Sequence, residues 1–169
     1  MRKLLILMSL VLFGLSCGYS LRGTGSSLPP HIRTINVPMF ENNTTRFQLD
    51  LKLTESVRDE LTARGEVEVS PERTGADAVL IGEITAFTVN PIGFGQDATA
   101  SSYNIVVVAK IVLRDLVNNR VLFSNPHFSY QQSYDVPDGT DFESVQQAAI
   151  DAIAVKFART LVINLLEGF

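Results

Sequence analysis

The chain has one cysteine, no tryptophan and two histidines in 169 residues. A single cysteine excludes a disulfide framework, so no covalent staple holds the fold. The histidines, His31 and His127, lie far apart, and neither has a ligand-type neighbour at the spacing of a zinc or similar site, so no metal and no cofactor is expected. A Gly-x-Ser-x-Gly elbow and a His-Glu-x-x-His motif are also missing. Without a nucleophile or base oriented by a partner, the chain reads as a non-enzyme. Basic residues are few, 14 Lys and Arg against 18 Asp and Glu, and the net charge of −4 argues against a nucleic-acid partner.

What the chain does have is concentrated at its start. Met1-Arg2-Lys3 precedes an apolar run from Leu4 to Leu15, then Ser16 and Cys17. A basic start, a hydrophobic stretch too short to span a bilayer and a small residue before the cut describe a signal peptide over residues 1–16. Cleavage before Cys17 exposes an amine and a thiol on one residue. Acylation of both supplies the two or more chains that stable anchoring requires, and it gives the unpaired cysteine a use. The competing reading is an ordinary signal peptide followed by a buried free cysteine; Gly14 stands where such lipoprotein signals usually carry Leu, with Leu15 one place late. Gly18 after the cysteine, rather than Asp, implies release to the outer membrane. Losing Arg2 and Lys3 takes the side-chain charge from −4 to about −6.

Residues 17–30 form a tether rich in Gly, Ser and Pro, and residues 31–169 are long enough for one domain with its own core. The spacing predicts a strand over Ile32 to Met39, with Ile35, Val37 and Met39 on one face and Pro38 at an edge or strand end. Glu41 to Thr45 contains two overlapping Asn-x-Thr sequons, read here as turn and capping chemistry rather than glycosylation. Leu49, Leu53, Val57 and Leu61 recur every four residues before Gly65, which predicts a helix closed by a glycine cap. Strands follow at Glu66 to Ser70 and Ala78 to Asn90, the latter with Val79, Ile81, Phe87 and Val89 on one face. A loop is expected over Pro91 to Ser102, then a strand over Tyr103 to Asp115, a turn at Asn118-Asn119 and a return strand over Arg120 to Asp135, bulged at Asn125-Pro126. Thr140-Asp141-Phe142-Glu143 is a capping box opening a helix striped by Val145, Ala149, Ile153, Phe157 and Leu161, with Gly168 at its end. The expected fold is α/β (α+β): a two-layer sandwich with both helices on one face of a four- or five-stranded mixed sheet.

Cys17-Gly18-Tyr19-Ser20-Leu21-Arg22-Gly23, together with the element order over the whole mature chain, resembles the LptE family of lipopolysaccharide-assembly lipoproteins. The resemblance implies a domain that plugs and helps assemble the LptD-type outer-membrane β-barrel, with lipopolysaccharide as a further candidate partner. Family members are reported to bind lipopolysaccharide through basic residues near the sheet tip. The corresponding loop here, Pro91 to Ser102, has no Lys or Arg and carries Asp97, so those residues are not carried over.

Candidate contact residues for the partner or the lipid path are therefore Ile92 and Phe94 in that loop, and Lys110, Arg114 and Arg120 around the next hairpin. Gly93-Phe94-Gly95 is not a dinucleotide fingerprint, since no third glycine and no helix follow. For Phe128, Tyr130 and Tyr134, core or sheet packing competes with sugar stacking or contact with a barrel wall; for the three cations, a solvated strand end competes with a lipid head group. The alternative function is a periplasmic adaptor or ligand-binding lipoprotein of another envelope complex.

Overall fold

Strict alternation of apolar and polar side chains builds the centre of the molecule. In the computed structural model, which describes residues 28–95, 100–136 and 142–167, β5 (Ala100–Asp115) buries Ile105, Val107, Ala109, Ile111 and Leu113 and turns Lys110 and Arg114 outward. It pairs antiparallel with β4 (Ala78–Phe94) and with β6 (Arg120–Asp135). Two shorter strands, β1 (Thr34–Asn36) and β3 (Glu68–Ser70), complete a mixed sheet in the order β3-β1-β4-β5-β6, and a two-residue β2 (Glu41–Asn42) pairs with β4 beyond the end of β1. Signal segment, Cys17, Gln96 to Thr99, the capping residues Thr140 and Asp141, and Gly168 lie outside the described residues.

The helices α1 (Leu49–Arg64) and α2 (Phe142–Glu167) pack against each other on one face of this sheet, as the two-layer reading requires. Leu49, Leu53, Val57 and Leu61 of α1 are fully buried, as are Ala149, Ile153, Phe157 and Leu161 of α2; Val145 packs at the margin of the same core. The Phe157 ring meets Phe128 of β6 edge to face, with centroids 5.1 Å apart. Gly65 caps α1 in the left-handed conformation, where it alone escapes the Cβ penalty. Asn119 takes φ 49° in the β5–β6 turn, and the bulge expected at Asn125-Pro126 falls one residue later, at Pro126-His127, as a shift in pairing from Ala109–Phe128 to Ile111–Asn125.

Four sequence expectations are corrected. The first strand stops at Asn36, and Met39 is half exposed rather than buried with Ile35 and Val37. Pro38 has no N–H to give the ladder, so the break is stitched by α1 instead: Arg58 donates to the Val37 carbonyl through Nε at 3.0 Å and Nη2 at 2.6 Å, and the Phe40 N–H donates to Thr54 Oγ1 at 3.0 Å. Phe40 rather than Met39 enters the core, over Gly82, where an added Cβ would stand 2.6 Å from its ring.

In β4 a bulge between Ile84 and Ala86 exchanges the faces, so Phe87 and Val89 join Leu80 and Ile84 on the helix side while Ile81 points outward. The expected loop over Pro91 to Ser102 is largely strand. Beyond Ile84 no described strand covers the far side of β4, so Pro91 sits on an edge and loses no ladder bond. Finally, the sequon segment makes the turn but not the cap. Asn42 Oδ1 accepts from Thr44 N at 3.0 Å, whereas the residue before α1 is Gln48 at φ 61°, with no side-chain cap. Arg46 of this turn lies 5.5 Å over the Phe87 ring and bonds Gln146 of α2, tying the turn to the sheet and to the second helix.

Candidate interaction surface

With both helices on one side, the other face of the sheet is left uncovered among the described residues. Outward-facing Ile81 on β4, Val106, Val108 and Val112 on β5, and Met39 beside Gly82 make an apolar strip that the Glu83–Lys110 ion pair crosses, bordered by Thr85, Thr88, Ser129 and Gln131. Such a strip, rimmed by polar side chains, is the form of a protein contact site rather than of an enclosed small-molecule pocket.

The five candidate contact residues fall into two separate groups. Ile92 and Phe94 are 55% and 66% exposed at the tip of β4. Lys110 and Arg114 stand on the open face of β5, and Arg120 begins β6. Lys110 is paired across the ladder with Glu83, nine residues before Ile92 along β4, so even the nearest of the three cations lies about 30 Å from the tip at ~3.3 Å per residue. They are not one site. The cations are also engaged at home: Lys110 Nζ is 3.5 Å from Glu83, Arg114 reaches Asn119 Oδ1 at 3.5 Å, and Arg120 Nε is 3.4 Å from Asp115.

Phe128 is core. Tyr130 and Tyr134 are half-buried on the helix side, flanking Gln132, whose Oε1 is buried with no hydrogen-bond partner among the described residues. Phe47 is 84% exposed just before Gln48, and pattern alone assigned it no role because it alternates with Leu49, Leu51 and Leu53 as a strand residue would.

Also unforeseen is the cluster that fastens the start of the domain. Asp115 is fully buried at the end of β5. Its carboxylate accepts from Val117 N and Asn118 N at 2.9 Å each, from Asn118 Nδ2 at 3.0 Å, and it bonds His31 Nε2 at 2.9 Å. Burial works to raise its pKa, but the Asn118 backbone and side-chain donors and His31 outweigh it and hold the carboxyl well below the usual range. Asp77 is lowered for a similar reason, by the N–H groups of Arg33 and Thr34 and the Thr34 hydroxyl. No sequence signal joins His31 to a residue 84 positions away.

Both depressed carboxylates give the same sign of pH dependence. Their stabilisation is present above the unfolded value near ~3.9 and is lost as pH falls through the folded values. The acid limb of stability between about pH 5 and 2 should therefore be flatter for Asp115→Asn and Asp77→Asn than for the wild type, read by urea titration at a series of pH values. Parallel acid limbs would show that these hydrogen bonds contribute nothing.

A model of the family described as LptE, lipopolysaccharide assembly, matches residues 32–165. The chain belongs to the LptE family. The match covers every described strand and both helices but for the last residues of α2, so the whole sandwich, not a fragment of it, is the family's domain. A search of curated protein sequences finds no match.

Solved structures share the fold at low identity. The hypothetical protein CT253 from Chlamydia trachomatis aligns with a TM-score of 0.55 at 11% identity, covering 81% of this chain and 96% of that one. The PelC dodecamer from Paraburkholderia phytofirmans gives 0.51 at 16% identity over 85% and 96%. Rare lipoprotein B from Shewanella oneidensis gives 0.50 at 9% over 79% and 93%.

Proposed function

We propose that this LptE-family chain is an outer-membrane lipoprotein, acylated at Cys17, that seats in the lumen of an LptD-type β-barrel, where it helps the barrel assemble and deliver lipopolysaccharide to the cell surface. Family membership over residues 32–165 supports the process. The observation that supports a plug is the one-sided sandwich: a sheet about 50 Å long, from 16-residue strands at ~3.3 Å per residue, with its outer face uncovered among the described residues and its tip apolar. That tip carries Ile92 and Phe94 without a basic residue in Pro91 to Ser102, so contact there is through shape and apolar surface, and lipopolysaccharide phosphates find no cation in that segment.

A photo-crosslinker at Phe94 should capture an outer-membrane barrel protein in cells, and the same barrel should copurify after extraction in mild detergent. Depleting the chain should lower surface lipopolysaccharide and raise sensitivity to large hydrophobic antibiotics. Capture of only a soluble periplasmic protein, with surface lipopolysaccharide unchanged, would replace this reading with an adaptor of another envelope complex.

A further inference from the structure

The last strand of the sheet, β6, has no neighbour on its outer side among the described residues, and it is 16 residues long. A strand in that position presents a row of unpaired N–H and C=O groups, which natural sheets usually blunt with Lys, Pro, bulges or shortness. The opposite side of this sheet is blunted in that way: β3 at its end is three residues long, and β4 beyond Ile84 carries Pro91 and irregular register at Pro91/Gly93 and Gly93/Phe94. So is the first part of β6, through Arg120 and the Pro126-His127 bulge. The run from Phe128 to Asp135 is not. Its sequence, Phe-Ser-Tyr-Gln-Gln-Ser-Tyr-Asp, has no Lys, Arg, Pro or Gly, and its regular pairing with β5 keeps it straight.

We infer that this edge pairs with the same edge of a second copy of the chain, antiparallel and two-fold symmetric about Gln131. Three features of the run favour a second copy as the occupant. Centring on Gln131 preserves the faces: Phe128 falls opposite Tyr134 of the second copy on the helix side, and Ser129 opposite Ser133 on the open side. The same register sets His127 opposite the acidic Asp135 of the second copy at both ends, a complementary pair repeated by symmetry. It also sets Tyr130 of the second copy, with its hydroxyl, at the strand position opposite Gln132, whose Oε1 is buried without a donor among the described residues. The contact joins two sheets into one continuous sheet through backbone hydrogen bonds. Seven residues a side, Phe128 to Tyr134, place it among weak, concentration-dependent associations. This inference stands apart from the barrel reading and does not depend on it.

The register can be read with cysteine, because the only native one is replaceable. In the mature chain carrying Cys17→Ser, Gln131→Cys places a thiol at the two-fold position, so mild oxidation should give a disulfide-linked dimer. Ser124→Cys, equally exposed on the same strand before the bulge, should stay monomeric. Gln131→Lys and Gln131→Glu should each lower the sedimentation-equilibrium dimer fraction by tenfold or more, and mixing the two should restore it as a heterodimer. Gln131 is exposed, so these variants keep the core, and far-UV circular dichroism checks that they do. Equal crosslinking of the two cysteine variants, a wild type that stays monomeric to millimolar concentration, or a Lys and Glu mixture that fails to associate would each overturn the pairing, as would crosslinking of Gln131→Cys in cells to another protein alone.

Discussion

Phe157→Ala should destabilise the domain by about 3–5 kcal/mol, and Leu61→Ala by about 2–5 kcal/mol. Both side chains have zero exposure, one on each helix, in the layer between helices and sheet. Removing either deletes buried apolar surface and leaves a cavity that close-packed neighbours fill only in part. The Phe157 change has a second component, because its ring meets Phe128 at 89° and such pairs add about 0.5–1.5 kcal/mol beyond burial. Against a typical total stability of about 5–15 kcal/mol, losses of this size move the urea midpoint far down at constant slope. Val155→Ala, on the exposed side of α2, is the control and should stay within about 0.5 kcal/mol. Losses under about 1 kcal/mol in both core variants would show that the helical stripes are not the core.

Replacing Cys17 by Ser should abolish membrane attachment through lipid altogether. The wild type is expected in the outer-membrane fraction, with acyl mass on its N-terminal peptide. Cys17→Ser should carry no acyl mass, because serine offers no thiol for the first acyl chain. The effect is all or none, since stable anchoring takes two signals and this chain offers one cysteine to carry them. Surface lipopolysaccharide should fall with it if the barrel reading holds. A wild type found soluble, with an unmodified N-terminus, would refute the lipoprotein assignment whatever the fold does. The acid-limb test of Asp115 and Asp77 and the crosslinking tests at Phe94 and Gln131 probe different parts of the molecule, so each stands or falls alone.

Local pattern made most of the elements legible. The four-residue spacing of Leu49, Leu53, Val57 and Leu61, and of Ala149, Ile153, Phe157 and Leu161, identified both buried helix faces, because an amphipathic helix repeats its environment every turn. Alternation along Tyr103 to Asp115, the asparagine turn and the glycine cap were equally local, and each is present where expected. Pattern failed where one residue's fate hangs on a distant partner. Met39 and Phe40 exchanged places because Pro38 ended the ladder, and Arg58 and Thr54 of α1 took over its hydrogen bonds. Phe87 and Val89 changed face because a bulge shifts phase without a sequence mark. Pro91 and two glycines looked like a loop, yet a strand edge tolerates them.

The candidate surface divides in the same way. The amino-acid sequence by itself determined the lipoprotein reading, the two helical stripes and the exposed, uncharged character of Ile92 and Phe94, because these depend on residue type and nearest neighbours along the chain. Only the tertiary structure decided that Lys110, Arg114 and Arg120 are about 30 Å or more from that tip and partnered at home, that His31 is tied to a buried Asp115, and that one face of the sheet and the β6 edge stand open among the described residues. Those facts follow from strand order and register, which come from the packing of segments far apart in sequence and leave no periodic trace in any one of them.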